Sequence, residues 1–129
     1  MGGVPKATAQ PAERMALQQV IARGNQAQAR AIETRDPSGM RETSTDAFYQ
    51  ELVRINEELL AAGIRTVRLD QIEWGPIIVE GNTATVVCFE TWTTTYTDGR
   101  VEQSRDLNVY TLVRQGDAWK IEADEHPVM

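Results

Sequence analysis

The chain has 129 residues, 41% of them hydrophobic and 25% charged, with a formal net charge of −6, which is length enough for one domain with a real core. The acidic balance argues against a nucleic-acid partner, which needs a basic stripe, and against adhesion to anionic membranes. The lone Cys88 excludes an intrachain disulfide and a cysteine-rich zinc site.

Residues 1–11 are small, polar and Pro-containing, and read as a disordered lead-in before a single domain over residues 12–126. They lack the apolar core of a signal peptide. Lys6 stands where a myristoylation motif needs Ser or Thr. No apolar run approaches the ~20 residues of a membrane span, so no membrane insertion is expected. The compartment stays open between the cytoplasm and the soluble part of an extracytoplasmic protein.

A helix is predicted from Pro11 to about Thr34, with Leu17, Val20, Ile21, Ala27, Ala31 and Ile32 near one stripe. Gly24 sits mid-helix, where close packing is the reading that accounts for it. The run from Arg35 to Gly39 stops the helix, and residues 37–43 have room for one helical turn. A second helix is predicted over about 46–62, because Phe48, Leu52, Ile55 and Leu59 follow helical spacing. Thr45 or Asp46 can cap its start, and Gly63 stands where helices end. A strand follows over 64–74, irregular near Asp70-Gln71, kinked at Gly75-Pro76 and resumed over 77–80.

Residues 83–97 and 100–113 read as two long strands, rich in β-branched and aromatic residues, joined at Asp98-Gly99 by a two-residue turn. Such a loop fixes the register. On one face it sets Glu90 opposite Leu107, Trp92 opposite Arg105 and Cys88 opposite Val109. On the other it sets Thr91 opposite Asp106, Phe89 opposite Asn108 and Val87 opposite Tyr110. Both faces carry large apolar residues, so both need cover: helices on one, a second subunit on the other. A last strand over about 118–125 follows the Gly116-Asp117 turn.

The order of two helices and then a meander of about four curved antiparallel strands is α+β. The run Tyr110-Thr111-Leu112-Val113-Arg114, a Gly-Asp turn and Trp119-Lys120-Ile121 resembles the closing hairpin of NTF2-like domains, the superfamily of the SnoaL and ketosteroid-isomerase fold. Thr34-Arg35-Asp36 is similar to the stop of their first helix. Glu90-Thr91-Trp92 is similar to a segment of NTF2-like domains in bacterial extracytoplasmic or regulatory proteins. The resemblance spans roughly residues 13–125. It implies a cone-shaped sheet wrapped on helices, a pocket at the open end and dimers through the sheet. The superfamily holds isomerases, dehydratases, cyclases, epoxide hydrolases and non-catalytic binding modules, so fold does not choose among them.

Two constellations are candidates for a site. Glu90, Trp92 and Arg105 share one face of the expected hairpin, where Arg105 can lie over the Trp92 ring and pair with Glu90, either as the polar end of a cavity or as a cross-strand ion pair. Asp106, Asn108 and Tyr110 share the other. An Asp near a Tyr in an apolar cone is the arrangement the resemblance associates with isomerases: a carboxylate base beside a phenol that stabilises an oxyanion. Glu90, Trp92, Arg105, Asn108 and Tyr110 are therefore the expected ligand-binding residues. His126 is read as exposed near the chain end. With Asp124 and Glu122 it has only the spacing of an acidic strand, so no metal is assigned. Cys88 reads as a buried thiol. No phosphate loop or serine-hydrolase elbow is present, and no cofactor is implied.

The leading expectation is a non-enzymatic domain that binds a small apolar ligand or a protein segment and forms a homodimer through the sheet. The alternative is a small isomerase, dehydratase or cyclase using Asp106 or Glu90 with Tyr110.

Overall fold

A computed structural model describes residues 7–128. Helix α1 runs Pro11–Thr34, the span the stripe predicts. Pro11 opens it, where a missing N–H costs nothing. Arg35 closes it in the left-handed region, φ 64°, with its N–H on the Ala31 carbonyl at 2.8 Å. Leu17, Val20, Ile21, Ala31 and Ile32 are buried, and so is Asn25. A 3₁₀ turn, Ser38–Thr43, follows. Helix α2 spans Asp46–Ala61, and the Thr45 side chain accepts the Phe48 N–H at 3.2 Å, satisfying one orphan donor of its first turn. Its buried side is Phe48, Tyr49, Leu52 and Asn56. Ile55 and Leu59, expected on that stripe, are only half-buried.

The helices lie against an antiparallel sheet of order β1-β2-β3-β4-β5. Strand β1 is a stub, Ala7–Thr8, paired with Ile78 and Val79. That corrects the expectation of disorder up to residue 11; the lead-in before Ala7 lies outside the described residues. The four main strands are β2 (Ile64–Glu80), β3 (Thr83–Tyr96), β4 (Val101–Gln115) and β5 (Ala118–Glu125). The pairing of β2 with β3 slips between Leu69 and Gln71 and between Trp74 and Ile77, where the sequence is irregular and kinked. Such slips bend a strand, and they let the sheet curl over α1. Strand β5 pairs with β4 only from Val109 to Gln115.

The β3–β4 register differs from the expected one by a single residue. The Tyr96 N–H reaches the Arg100 carbonyl at 2.9 Å, and the Gly99 N–H returns to the Tyr96 carbonyl at 3.0 Å. The loop is therefore Thr97-Asp98-Gly99, three residues, with Gly99 at φ 91° in the position such loops reserve for glycine. Asp98 Oδ1 accepts the Arg100 N–H at 3.0 Å, a local turn bond typical of Asp. One added residue reverses the facing of β4 relative to β3. Glu90 now opposes Asp106, Cys88 opposes Asn108 and Val86 opposes Tyr110. The core on the helix side is Ala84, Val86, Cys88, Tyr110, Leu112, Trp119 and Ile121 with the buried residues of α1 and α2.

Two glycines let elements approach closely. A Cβ on Gly75 would stand 2.9 Å from the Val87 carbonyl oxygen, and one on Gly24 would stand 2.9 Å from Ile121 Cδ1. The first obstacle is backbone; the second is the end of a flexible side chain. Gly75→Ala should therefore destabilise by about 1–3 kcal/mol. Gly24→Ala should be within roughly 1 kcal/mol of neutral, since helix propensity gains about as much as repacking costs. Urea unfolding of both variants checks the contrast; equal losses would contradict it.

Candidate functional site

The register brings the inward members of both candidate constellations onto the concave face. Glu90 is 2% exposed, yet three N–H or O–H donors reach it, beside a longer contact from the Cys88 thiol to Oε2 at 3.9 Å. Asn25 Nδ2, from α1, reaches Oε2 at 2.9 Å, the Tyr110 hydroxyl reaches Oε2 at 2.5 Å, and Trp92 Nε1 reaches Oε1 at 2.9 Å. Tyr110 OH also lies 3.2 Å from Asn25 Oδ1. A buried polar group is tolerated when bonded in this way. Three elements are tied at one carboxylate.

Arg105 takes no part. It points to the convex face, where it forms a bidentate pair with Glu73 at 2.7 and 3.1 Å and lies 3.9 Å over the Phe89 ring. The expected stacking on Trp92 and pairing with Glu90 are corrected by the one-residue change of register. Asn108 is wholly buried, with Nδ2 on the Asp106 carbonyl at 3.0 Å. The Asp106 side chain is exposed and accepts the Ser104 hydroxyl at 3.0 Å.

A cavity of about 280 Å³ opens above Glu90. Leu59, Ile64, Val67 and Trp92 form its apolar wall; Glu90, Asp106, Asn108 and His126 line it with polar groups, and Gln28, Thr94 and Ser104 complete it. The other large hollows, of about 460 and 820 Å³, are grooves along α1 beside Arg30; neither touches Glu90. His126 is 59% exposed at its side chain, but it borders the cavity and its Nε2 lies 3.3 Å from Asp124 Oδ2. Asn25, Asp124 and the α2 residue Leu59 were not assigned to a site from sequence. Asn25 carried a signal: it is a polar residue on the apolar stripe of α1, four after Ile21. Asp124 follows a register slip in β5 that alternation does not reveal. Among the described residues no three His, Cys, Asp or Glu side chains gather as a metal-binding group.

Burial, then the charges of Asp124 and Glu90, push the Tyr110 phenol well above its usual range. Tyr110 thus acts here as a donor to Glu90. Burial likewise raises Asp124, against the opposing bond from His126. His126 is raised chiefly by its bond to Asp124, with burial opposing and Asp124, Glu90 and Asp106 adding attraction. The Cys88 thiol is pushed up to about 12, first by burial and then by Glu90.

Each shift gives a measurable outcome. Cys88 should resist a disulfide reagent at mildly alkaline pH and react on unfolding; rapid labelling of the native protein would contradict the burial. His126 should titrate above 6.5 by proton NMR, and its midpoint should fall in Asp124→Asn. Because that folded value is raised, the stability His126 contributes is full below the unfolded value and lost as pH rises through the folded one. Tyr110→Phe removes a donor from a buried carboxylate and should cost about 1–3 kcal/mol in urea unfolding; a neutral variant would mean that the bond contributes little.

No family model and no curated protein matches the sequence. Solved structures do match in shape. The intermembrane-space region of the chloroplast protein ARC6 superposes with a TM-score of 0.75 at 11% identity, covering 89% of this chain and 96% of that one. A hexachlorocyclohexane dehydrochlorinase, LinA type 2, gives 0.61 at 7% identity over 92% and 94% of the two chains. An NTF2-like protein with a cystatin-like fold from Novosphingobium aromaticivorans gives 0.57 at 19% over 88% and 79%. Identities this low speak for fold alone, and with two N-terminal helices packed in the curl of a four-stranded antiparallel meander, the chain has the NTF2-like fold.

Proposed function

We propose that this domain is a binding module that holds one small, largely apolar molecule in the cavity above Glu90. The observation that carries the reading is the cavity itself: an apolar wall of Leu59, Ile64, Val67 and Trp92 facing a few fixed polar groups, the usual make-up of a small-molecule site. Its volume of about 280 Å³ suits a ligand smaller than most drugs. The polar groups at its base are immobilised by one another, which favours holding a ligand over moving protons. Trp92 is its natural reporter: a small aromatic or alicyclic ligand should perturb the Trp92 indole NH resonance and leave that of Trp119 in place, and Val67→Glu should abolish the effect. An unchanged Trp92 signal across a fragment library would sink the reading.

A second reading is favoured by one specific contact. His126, oriented by the half-buried Asp124, borders the cavity as a general acid or base would. An isomerase or dehydratase on this plan would use His126 with Asp106, because the Tyr110 hydroxyl is committed to Glu90. It predicts that the protein accelerates α-proton exchange of a bound cyclic ketone in heavy water and that His126→Gln removes the effect.

The convex face supports a homodimer. Val87, Phe89, Leu107 and Val109 are half-exposed side by side there, as a covered sheet face requires. Light scattering should give twice the chain mass, and Val109→Glu should return a monomer; a monomeric parent protein at high concentration would remove this part.

A further inference from the structure

We propose that the molecule held in this cavity carries a protonated amine, received by the Glu90 carboxylate and the Asn108 side-chain oxygen. The proposal rests on the cavity reading above and names the chemistry of its occupant. A carboxylate offers about four acceptor positions. Asn25 and Tyr110 both donate to Oε2 and Trp92 donates to Oε1, which leaves a position on Oε1, the oxygen on the Trp92 side of the cavity. Asn108 is the independent sign. It is wholly buried, it lines the same cavity, and among the described residues its Oδ1 has no partner. The bond from its Nδ2 to the Asp106 carbonyl fixes which end of the amide is oxygen. A buried acceptor without a donor is costly, so Asn108 Oδ1, on the same cavity as a carboxylate oxygen with a position to spare, points to a guest that donates.

Charge selects among donors. Among the described residues no Lys or Arg lines the cavity, whereas Glu90 and Asp106 both do. Among the described residues no cation pairs with Glu90; its three strong donors are all neutral. His126 is the one lining group able to carry positive charge, and Asp124 answers it. An ammonium brings several donors and the missing charge, and the apolar wall accepts its hydrocarbon body. A carboxylate or phosphate guest would meet only like charge and acceptors.

Three probes of one shape test this: benzylamine, protonated at pH 7, benzyl alcohol and benzoate, each titrated into the full chain and followed by calorimetry and by the Trp92 indole and Asn108 amide resonances. Benzylamine should bind about tenfold or more tightly than either of the others, the size of one charge-assisted hydrogen bond. If benzyl alcohol or benzoate moves the same resonances with equal or greater affinity, the amine is wrong while the cavity reading stands. If none of the three moves them at millimolar concentration, both fall. Glu90→Gln should erase the preference for the amine; a folded Glu90→Gln that keeps it overturns the role of Glu90. Should that variant not fold, the Glu90 carboxyl carbon resonance of the parent protein decides. It should shift with benzylamine and stay put with benzyl alcohol, and identical shifts would refute the contact.

Discussion

The architecture depends on a carboxylate buried where three elements meet. Glu90 lies on β3, Asn25 on α1 and Tyr110 on β4, and their side chains close on one another around the Glu90 oxygens. An unbonded carboxylate at this depth would be expensive, and each donor lowers that cost. The arrangement is therefore self-consistent only when helix and strands are in register together. An apolar residue at position 90 could pack in several ways; a carboxylate that needs an amide, an indole and a phenol admits far fewer. Two of the donors come from segments 65 and 20 residues away in sequence.

The same constraint shapes the cavity. Trp92 is held by its bond to Glu90, so its ring stands as a wall. Beyond it the sheet outruns the helices: the far end of the β3–β4 hairpin is only partly covered, and the space between it and Leu59 of α2 is the cavity. The pocket thus arises from a mismatch of length. Strand β3 extends to Tyr96, while β5 stops pairing at Val109 and leaves His126 to border the opening.

Most of the fold was legible in the sequence because its signals are local. Helix α1 was readable from a stripe and a Pro, α2 from a cap and its spacing, and the slips in β2 from Asp70-Gln71 and Gly75-Pro76. The order of elements followed. The site was legible only in its members. Glu90, Trp92, Asp106, Asn108 and Tyr110 were singled out, but they were divided between two faces and Arg105 was added to them. The cause was one residue in a turn. Asp-Gly suits a two-residue loop and equally the last two positions of a three-residue loop, and strand alternation turns that single choice into an inversion of every later side chain. Asn25 showed locally only as a polar break in the stripe of α1. That it meets Glu90 depends on which helix face packs on which strand, and Asp124 depends on the slip in β5; no local pattern carries either.

The short pairing of β5 leaves one more mark on the molecule. From Val101 to Asn108 the outer edge of β4 has no neighbouring strand among the described residues, so its free backbone groups could template a foreign strand. The side chains along that stretch include Glu102, Arg105 and Asp106, and residues 101–106 are all exposed. A chain approaching edge-on would have to strip water from charges of both signs before gaining its first ladder bond. The polarity of this segment, which contributes nothing to the core, thus guards the protein against joining its own copies into fibres while leaving the hairpin long enough to frame a cavity.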